Sequence, residues 1–284
     1  MKKKWLLFVA AMMTMILLAA CGTDDSGSTT SSGGSSDSEE KKTLKVGMEA
    51  GYAPFNWSQN DDSNGAVKIS GSKEYAAGYD VEIAKRIAEG LGMELEIIKT
   101  DWDGLVPSLQ SGAIDLVIAG MSPTAERKEV IDFTENYYFS DYVIVVKADG
   151  PYADAKTLED FEGAKITGQQ ATTHYDVIDQ IKGVNKQVAA TDFGAMRVQL
   201  TSGAIDAYVS ERPEGISAEM AMDNIKYIVP EPNFEADPST TSIAVGLKKG
   251  SALKEDINKV LAEISEEERQ QLMEDAIANQ PAAQ

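Results

Sequence analysis

Residues 44–48, Leu-Lys-Val-Gly-Met, alternate apolar and polar positions with period two and predict a strand. Glu49 and an aromatic loop, Tyr52-Ala-Pro-Phe, follow it directly. Residues 58–77 are polar and rich in Gly, Asn, Asp and Ser, which predicts a surface excursion or a short hairpin. Asp80 then caps a helix that carries Ile83, Ala84, Ile87 and Ala88 on one face and stops at Gly90 or Gly92. A strand at 94–99 leads through Thr100-Asp101-Trp102-Asp103 into the next amphipathic stretch. Strand, helix, strand, helix, strand implies a parallel sheet covered on both faces.

The pattern then repeats itself. Ser-Gly-Ala-Ile-Asp occurs at 111–115 and again at 202–206. An amphipathic stretch precedes each copy (Leu105, Val106, Leu109; then Met196, Val198, Leu200), and a short apolar run follows each. The first run opens into Gly-Met-Ser-Pro-Thr-Ala-Glu-Arg at 120–127, the second into Ser-Glu-Arg-Pro-Glu-Gly at 210–215. Helix, glycine stop, buried strand and polar loop make one βα unit used twice. Ligands of open α/β sheets bind beside the carboxyl ends of strands, so two such units predict a clamp of two similar lobes. A strand at 142–147 ends at Gly150-Pro151, and the second cycle starts at 164–168. It ends in strands at 225–229 and 240–247, and a helix or helix pair runs from 253 to about 277. The expected division is lobe one at 43–141 plus 241–284, lobe two at 146–236, and hinge strands at 142–145 and 237–240.

The N-terminus needs separate treatment. Three lysines at 2–4, an apolar run at 5–17 and Leu18-Ala19-Ala20 before Cys21 read as a cleaved leader rather than a spanning helix, giving a signal peptide at 1–20. Residues 21–42 follow as a linker whose Gly, Ser, Thr, Asp, Glu and Lys composition forms no core. Cys21 is the one cysteine in the chain, so stability must come from the core and not from disulfides. The net charge of −20 becomes more negative once the leader lysines are removed, which excludes nucleic acid and anionic membrane surfaces as electrostatic partners.

Little in the chain suggests catalysis. His174 is the only histidine and has no second His or Cys nearby, so no metal site is expected; it stands at a helix start as an exposed side chain. No nucleophile elbow, phosphate loop or dinucleotide fingerprint is present, and no cofactor is expected. The strongest local signal is 120–127. Ser122 suits an N-cap and Pro123 a first helical position, and a helix start beside a strand's carboxyl end can bind an anion. Arg127 can offer a carboxylate its two-pronged guanidinium, or it can pair with a surface acid. Tyr52 and Trp102 can line one cleft edge, although Trp102 can equally pack beneath its loop. Thr172 and Thr173 offer hydroxyls opposite, and Glu211 offers a carboxylate or is a solvated loop acid.

Residues 45–55, Gly-Tyr-Asp-Val-Glu-Ile-Ala-Lys at 78–85, Trp-Asp-Gly-Leu-Val-Pro at 102–107, the first Ser-Gly-Ala-Ile-Asp, 120–127 and Ile-Asp-Phe-Thr-Glu-Asn-Tyr-Tyr at 131–138 occur in this order. Together they resemble the polar amino-acid family of ABC-transporter solute-binding lipoproteins. The resemblance runs from about residue 44 to 272. It implies an α/β, two-lobed type II periplasmic-binding-protein fold with two hinge crossovers, closing on one free amino acid as a monomer without enzymatic activity. Leu-Ala-Ala-Cys resembles that family's lipobox, which implies a palmitate-bearing Cys21 and a protein anchored on the extracytoplasmic face of the cell membrane. The ligand α-carboxylate would meet Arg127, Ser122 and backbone N–H groups of the Gly120-Met121-Ser122 segment, with Thr172 and Thr173 adding donors. Its ammonium would meet the Gly120 carbonyl, the Ser122 hydroxyl and Glu211, and Tyr52 and Trp102 would sandwich its side chain. Two positions depart from the family: Ala171 stands where glycine is usual, and Glu211 where aspartate is usual.

The leading expectation is a receptor that hands its amino acid to a membrane permease. Glu49 beside the aromatic loop favours a cationic side chain, lysine or arginine, with glutamine the nearest rival. A dehydratase-like enzyme or a sensor on the same fold is the alternative class.

Overall fold

The computed structural model describes residues 42–281. The expected signal peptide, Cys21 and nearly all of the linker lie outside the described residues. The chain begins with β1 (Thr43–Met48), and a small antiparallel sheet of β2 (Gly51–Tyr52), β3 (Asn56–Gln59), β4 (Val67–Lys68) and β5 (Tyr75–Ala77) follows. Next come α1 (Tyr79–Gly90), β6 (Glu94–Lys99), α2 (Trp102–Ser111), β7 (Leu116–Val117), α3 (Ala125–Val130) and β8 (Ile131–Phe139). The second cycle is β9 (Tyr142–Lys147), β10 (Lys165–Thr167), α4 (Thr173–Asp176), β11 (Asn185–Lys186), α5 (Phe193–Ser202), β12 (Ala207–Glu211), α6 (Arg212–Ala221) and β13 (Ile225–Ile228). The chain closes with α7 (Pro238–Thr241), β14 (Ser242–Lys248), α8 (Lys254–Glu263) and α9 (Glu266–Asn279).

Two five-stranded sheets result, ordered β6-β1-β7-β14-β8 and β11-β10-β12-β9-β13. In each, three parallel strands come first, the fourth runs antiparallel to them, and the fifth pairs antiparallel with the fourth at the edge. The repeated pentapeptide explains the likeness. Gly112 and Gly203 end α2 and α5 in the left-handed region, at φ +80° and +78°. Such a stop costs glycine nothing sterically and turns the chain into the next strand. Asp115 then accepts the Lys45 N–H through Oδ2 at 2.9 Å, and its own N–H returns to the Lys45 carbonyl at 2.8 Å. Asp206 repeats both bonds with Lys165, each at 2.8 Å. The aspartate therefore fixes the register of each repeat strand against the first strand of its sheet.

The chain leaves the first sheet between Phe139 and Tyr142 and returns between Ile228 and Ser242. Residues 237–240, expected as an extended hinge strand, instead begin the helical turn α7. Asp237 accepts the Ser239 N–H at 2.8 Å and Pro238 takes the first helical position, a start that favours helix over strand. Residues 142–145 pair along β12 and belong to the second sheet. Two more expectations change locally. The N-cap of α1 is Gly78, at φ +119°, and Asp80 lies inside the helix with its side chain buried. Thr124, not Ser122, caps α3, accepting the Arg127 N–H at 3.2 Å. No helix among the described residues is long and apolar enough to cross a membrane.

Candidate functional site

Loops at the carboxyl ends of β1, β6 and β7 face loops after β10, β11 and β12, and nearly every residue singled out from the sequence lies where they meet. Tyr52 is buried; its ring stacks on Phe193 at 4.3 Å and on Phe55 at 5.1 Å. Its hydroxyl donates to Glu211 Oε1 across the cleft. The Trp102 indole N–H donates to the Ala171 carbonyl at 3.3 Å, and the same carbonyl accepts from Arg127 Nη2 at 2.9 Å. Arg127 also donates through Nη1 to the Ser122 carbonyl at 2.9 Å, and its guanidinium lies 5.2 Å from the centre of the Trp102 ring. Among the described residues no carboxylate is paired with it, so the surface-acid alternative does not hold. Burial pushes its pKa down to about 10.

Local backbone explains these positions. Gly120 is at φ +62°, and a Cβ there would stand 2.8 Å from the Tyr52 ring, so glycine lets the strand end pass beneath the aromatic side chain. Met121 is buried beside it. Ala171 adopts φ +53°, the conformation for which the family's glycine is suited and which costs an L-residue roughly 1–2 kcal/mol. That turn presents its carbonyl to both Trp102 and Arg127. Ser122 Oγ, Thr173 Oγ1 and the Tyr142 hydroxyl converge on the Thr240 carbonyl, at 3.1, 3.3 and 3.1 Å. Thr172 is turned away, donating to the Gln169 carbonyl at 2.6 Å and capping α4.

Several site residues were not foreseen. Gln169 Nε2 donates to both oxygens of Glu49, at 3.0 and 3.2 Å, and Gln170 Nε2 to Asp103 Oδ2 at 2.5 Å. Phe193 was visible in the repeat: aligning the two pentapeptides backward sets it opposite Trp102, each opening its helix. His174, expected as exposed, is buried against Tyr142 and Phe193, with Nε2 3.8 Å from Glu211 Oε1. Burial holds its pKa down at about 4, so it is neutral at pH 7.

Trp102 and Asp103 border two cavities. On one side a cavity of about 650 Å³ is bordered by Glu49, Asp101, Asp103 and Asp192. Burial raises the Glu49 pKa to about 7 despite the Gln169 bond, and the three aspartates add to the rise. On the other side a cavity of about 700 Å³ is lined by Arg127, Thr173 and Thr240 together with the carboxylates of Asp103, Glu126, Glu129 and Asp176. Glu211 lies deeper, beside Tyr52, and burial lifts its pKa to about 8.

A family model described as bacterial extracellular solute-binding proteins, family 3, matches residues 44–277. The chain is 29% identical over 234 residues to the arginine-binding extracellular protein ArtP of Bacillus subtilis (strain 168), covering 80% of this chain and 82% of that protein. It is 30% identical over 228 residues to the L-cystine-binding protein TcyJ of Escherichia coli (strain K12), covering 79% and 78%. An amino acid ABC transporter substrate-binding protein from Streptococcus pneumoniae Canada MDR_19A, solved bound to L-arginine, matches with a TM-score of 0.74 at 30% identity, covering 83% of this chain and 94% of that one. These matches are to substrate-binding proteins with the two-lobed type II fold, not to enzymes.

Proposed function

Because the chain belongs to family 3 of the bacterial extracellular solute-binding proteins, we propose that it binds one free amino acid with a cationic side chain, arginine or lysine, between its lobes and delivers it to an ABC-transporter permease. The acidic cavity at Glu49, which holds four carboxylates and no cation in its lining, carries this reading. Arg127 and Thr173 suit a ligand α-carboxylate, and the indole face suits an alkyl stem. Glu49 with Asp101, Asp103 and Asp192 suits a positive end. Glu211, with Gly120 and Ser122 nearby, would take the α-ammonium. The lobes would be 43–141 with 241–284, and 142–236, moving about the two crossovers as a monomer. A leader ending at residue 20 and a lipid on Cys21 would hold the protein outside the membrane; the support is the lysine-rich start, the apolar run and the lone cysteine.

Glutamine remains a second ligand reading, since carboxylates also accept from an amide. The two separate in a titration of lysine, arginine, glutamine and glutamate against the wild type and Glu49→Gln. Glu49→Gln is expected to weaken arginine roughly ten- to a hundredfold, the value of a charge-assisted hydrogen bond, and to spare glutamine. The pH dependence has a fixed sign. A cation binds the ionised carboxylate, and burial has raised the Glu49 pKa to about 7. Glu49 should therefore make arginine affinity climb by up to about tenfold per pH unit below 7, with proton release, and the climb should continue toward about 8 as Glu211, the partner of the α-ammonium, ionises. In Glu49→Gln that rise should shrink. Tightest wild-type binding to glutamine, or arginine binding indifferent to Glu49→Gln, would reverse the ligand assignment.

A further inference from the structure

We infer that Asp80, remote from the ligand space, is a positioning residue that holds two walls of the binding cleft in register. The inference rests on the amino-acid-binding reading above. Asp80 is fully buried at the second position of α1, and no described cation pairs with it. Its carboxylate is satisfied by neutral donors arriving from two distant parts of the chain. Oδ1 accepts the Tyr137 hydroxyl of β8 at 2.7 Å and Oδ2 accepts Asn56 Nδ2 of β3 at 2.8 Å. The Gly120 N–H also faces the carboxylate and favours its charged form.

Two of those groups lead straight to the cleft. Gly120 opens the Gly120-Met121-Ser122 wall. Asn56 passes the constraint on, because its Oδ1 accepts the Ala50 N–H at 2.8 Å. Ala50 lies between Glu49 and Tyr52 and adopts φ +52°, so that bond fixes the direction in which both side chains leave the strand. The start of α1 is pressed onto the same loop: Asp80 N–H donates to the Phe55 carbonyl at 2.8 Å and Tyr79 N–H to the Pro54 carbonyl at 3.1 Å. A single anion thus reads the position of the aromatic loop against Gly120. Burying a carboxylate is costly unless it accepts hydrogen bonds, and the Asn56 and Tyr137 donors, with the Gly120 N–H facing the same group, meet that requirement only when their elements are correctly placed. Asparagine has the same shape but turns an NH2 toward one of the donors, so one link must open.

The test compares wild type, Asp80→Asn, Asn56→Ala and the core control Ile257→Val, which trims a buried α8 side chain. Calorimetry with L-arginine, or the tightest-binding of the twenty amino acids, is run well below each melting temperature, and amide NMR follows Gly120 and Ala50 without ligand. Asp80→Asn should weaken binding at least tenfold and move the Gly120 amide. Asn56→Ala should weaken binding and move the Ala50 amide, which keeps the inference testable if Asp80→Asn does not fold. Ile257→Val should lower the melting temperature and leave affinity and both amides unchanged. A folded Asp80→Asn or Asn56→Ala with wild-type affinity and unmoved amides overturns the inference, as that pattern belongs to a residue that serves stability alone. Absence of any amino-acid binding by wild type would instead overturn the functional reading, while the amide shifts still report whether Asp80 sets the two walls.

Discussion

Arg127→Ala is expected to abolish amino-acid binding in a protein that remains folded. The guanidinium is held by the Ser122 and Ala171 carbonyls and lies over the Trp102 ring, so it is pre-aimed and half-buried before a ligand arrives. Closure of the lobes over a ligand carboxylate would desolvate the pair further. Removing one member of such a pair leaves the other buried and uncompensated, a loss on the order of 3–5 kcal/mol and about a thousandfold in affinity. The fold should survive, because Arg127 lies on the six-residue helix α3, which contributes no fully buried side chain. Calorimetry paired with a circular-dichroism melt checks both halves. Near-normal affinity in a folded variant would remove Arg127 from the site.

Arg197→Met should produce the largest loss of stability. Glu214 is fully buried, and its Oε1 accepts from Arg197 Nη2 at 2.9 Å, Arg197 Nε at 3.3 Å and the Tyr208 hydroxyl at 2.9 Å. These residues join α5, α6 and β12 in the second sheet's layer. Without the guanidinium the buried carboxylate loses its compensating charge and two of its three hydrogen-bond contacts. The expected loss is ~3–5 kcal/mol, a fall of roughly ten degrees in melting temperature for a chain this size. Replacing the pair together, as Arg197→Met with Glu214→Leu, should recover most of it, because apolar side chains need no compensating charge. A single Arg197→Met that melts like the wild type would show that the pair is not holding the second sheet's helices.

How far the sequence could be read follows from the range of the interactions involved. The pentapeptide repeat was legible because its glycine stop, apolar strand and register-setting aspartate act within a few residues, and the structure gives Asp115 and Asp206 equivalent bonds. The meeting of Tyr52, Trp102, Arg127 and Glu211 in one place followed from loops at strand ends. Asp80 was misread as a cap because a cap and a buried acceptor look alike locally; its donors, Tyr137 and Asn56, are distant in sequence. Ser122 lost the cap to Thr124 because its hydroxyl bonds Thr240, far along the chain. His174 looked exposed because nothing local announces Tyr142 and Phe193 packing on it. At 237–240 the Asp-Pro-Ser signal for a helical turn was present, and an assumed symmetric crossover displaced it.

The most direct test of the account is a thermal-shift screen of the purified protein against the twenty amino acids and cystine. A ligand at 100 times its dissociation constant adds ~2.7 kcal/mol to stability, easily seen as a raised melting temperature. Arginine or lysine should give the largest upward shift and glutamate none, because an acidic side chain would face Glu49, Asp101, Asp103 and Asp192. No shift with any amino acid, or the largest shift with glutamate, would contradict the account.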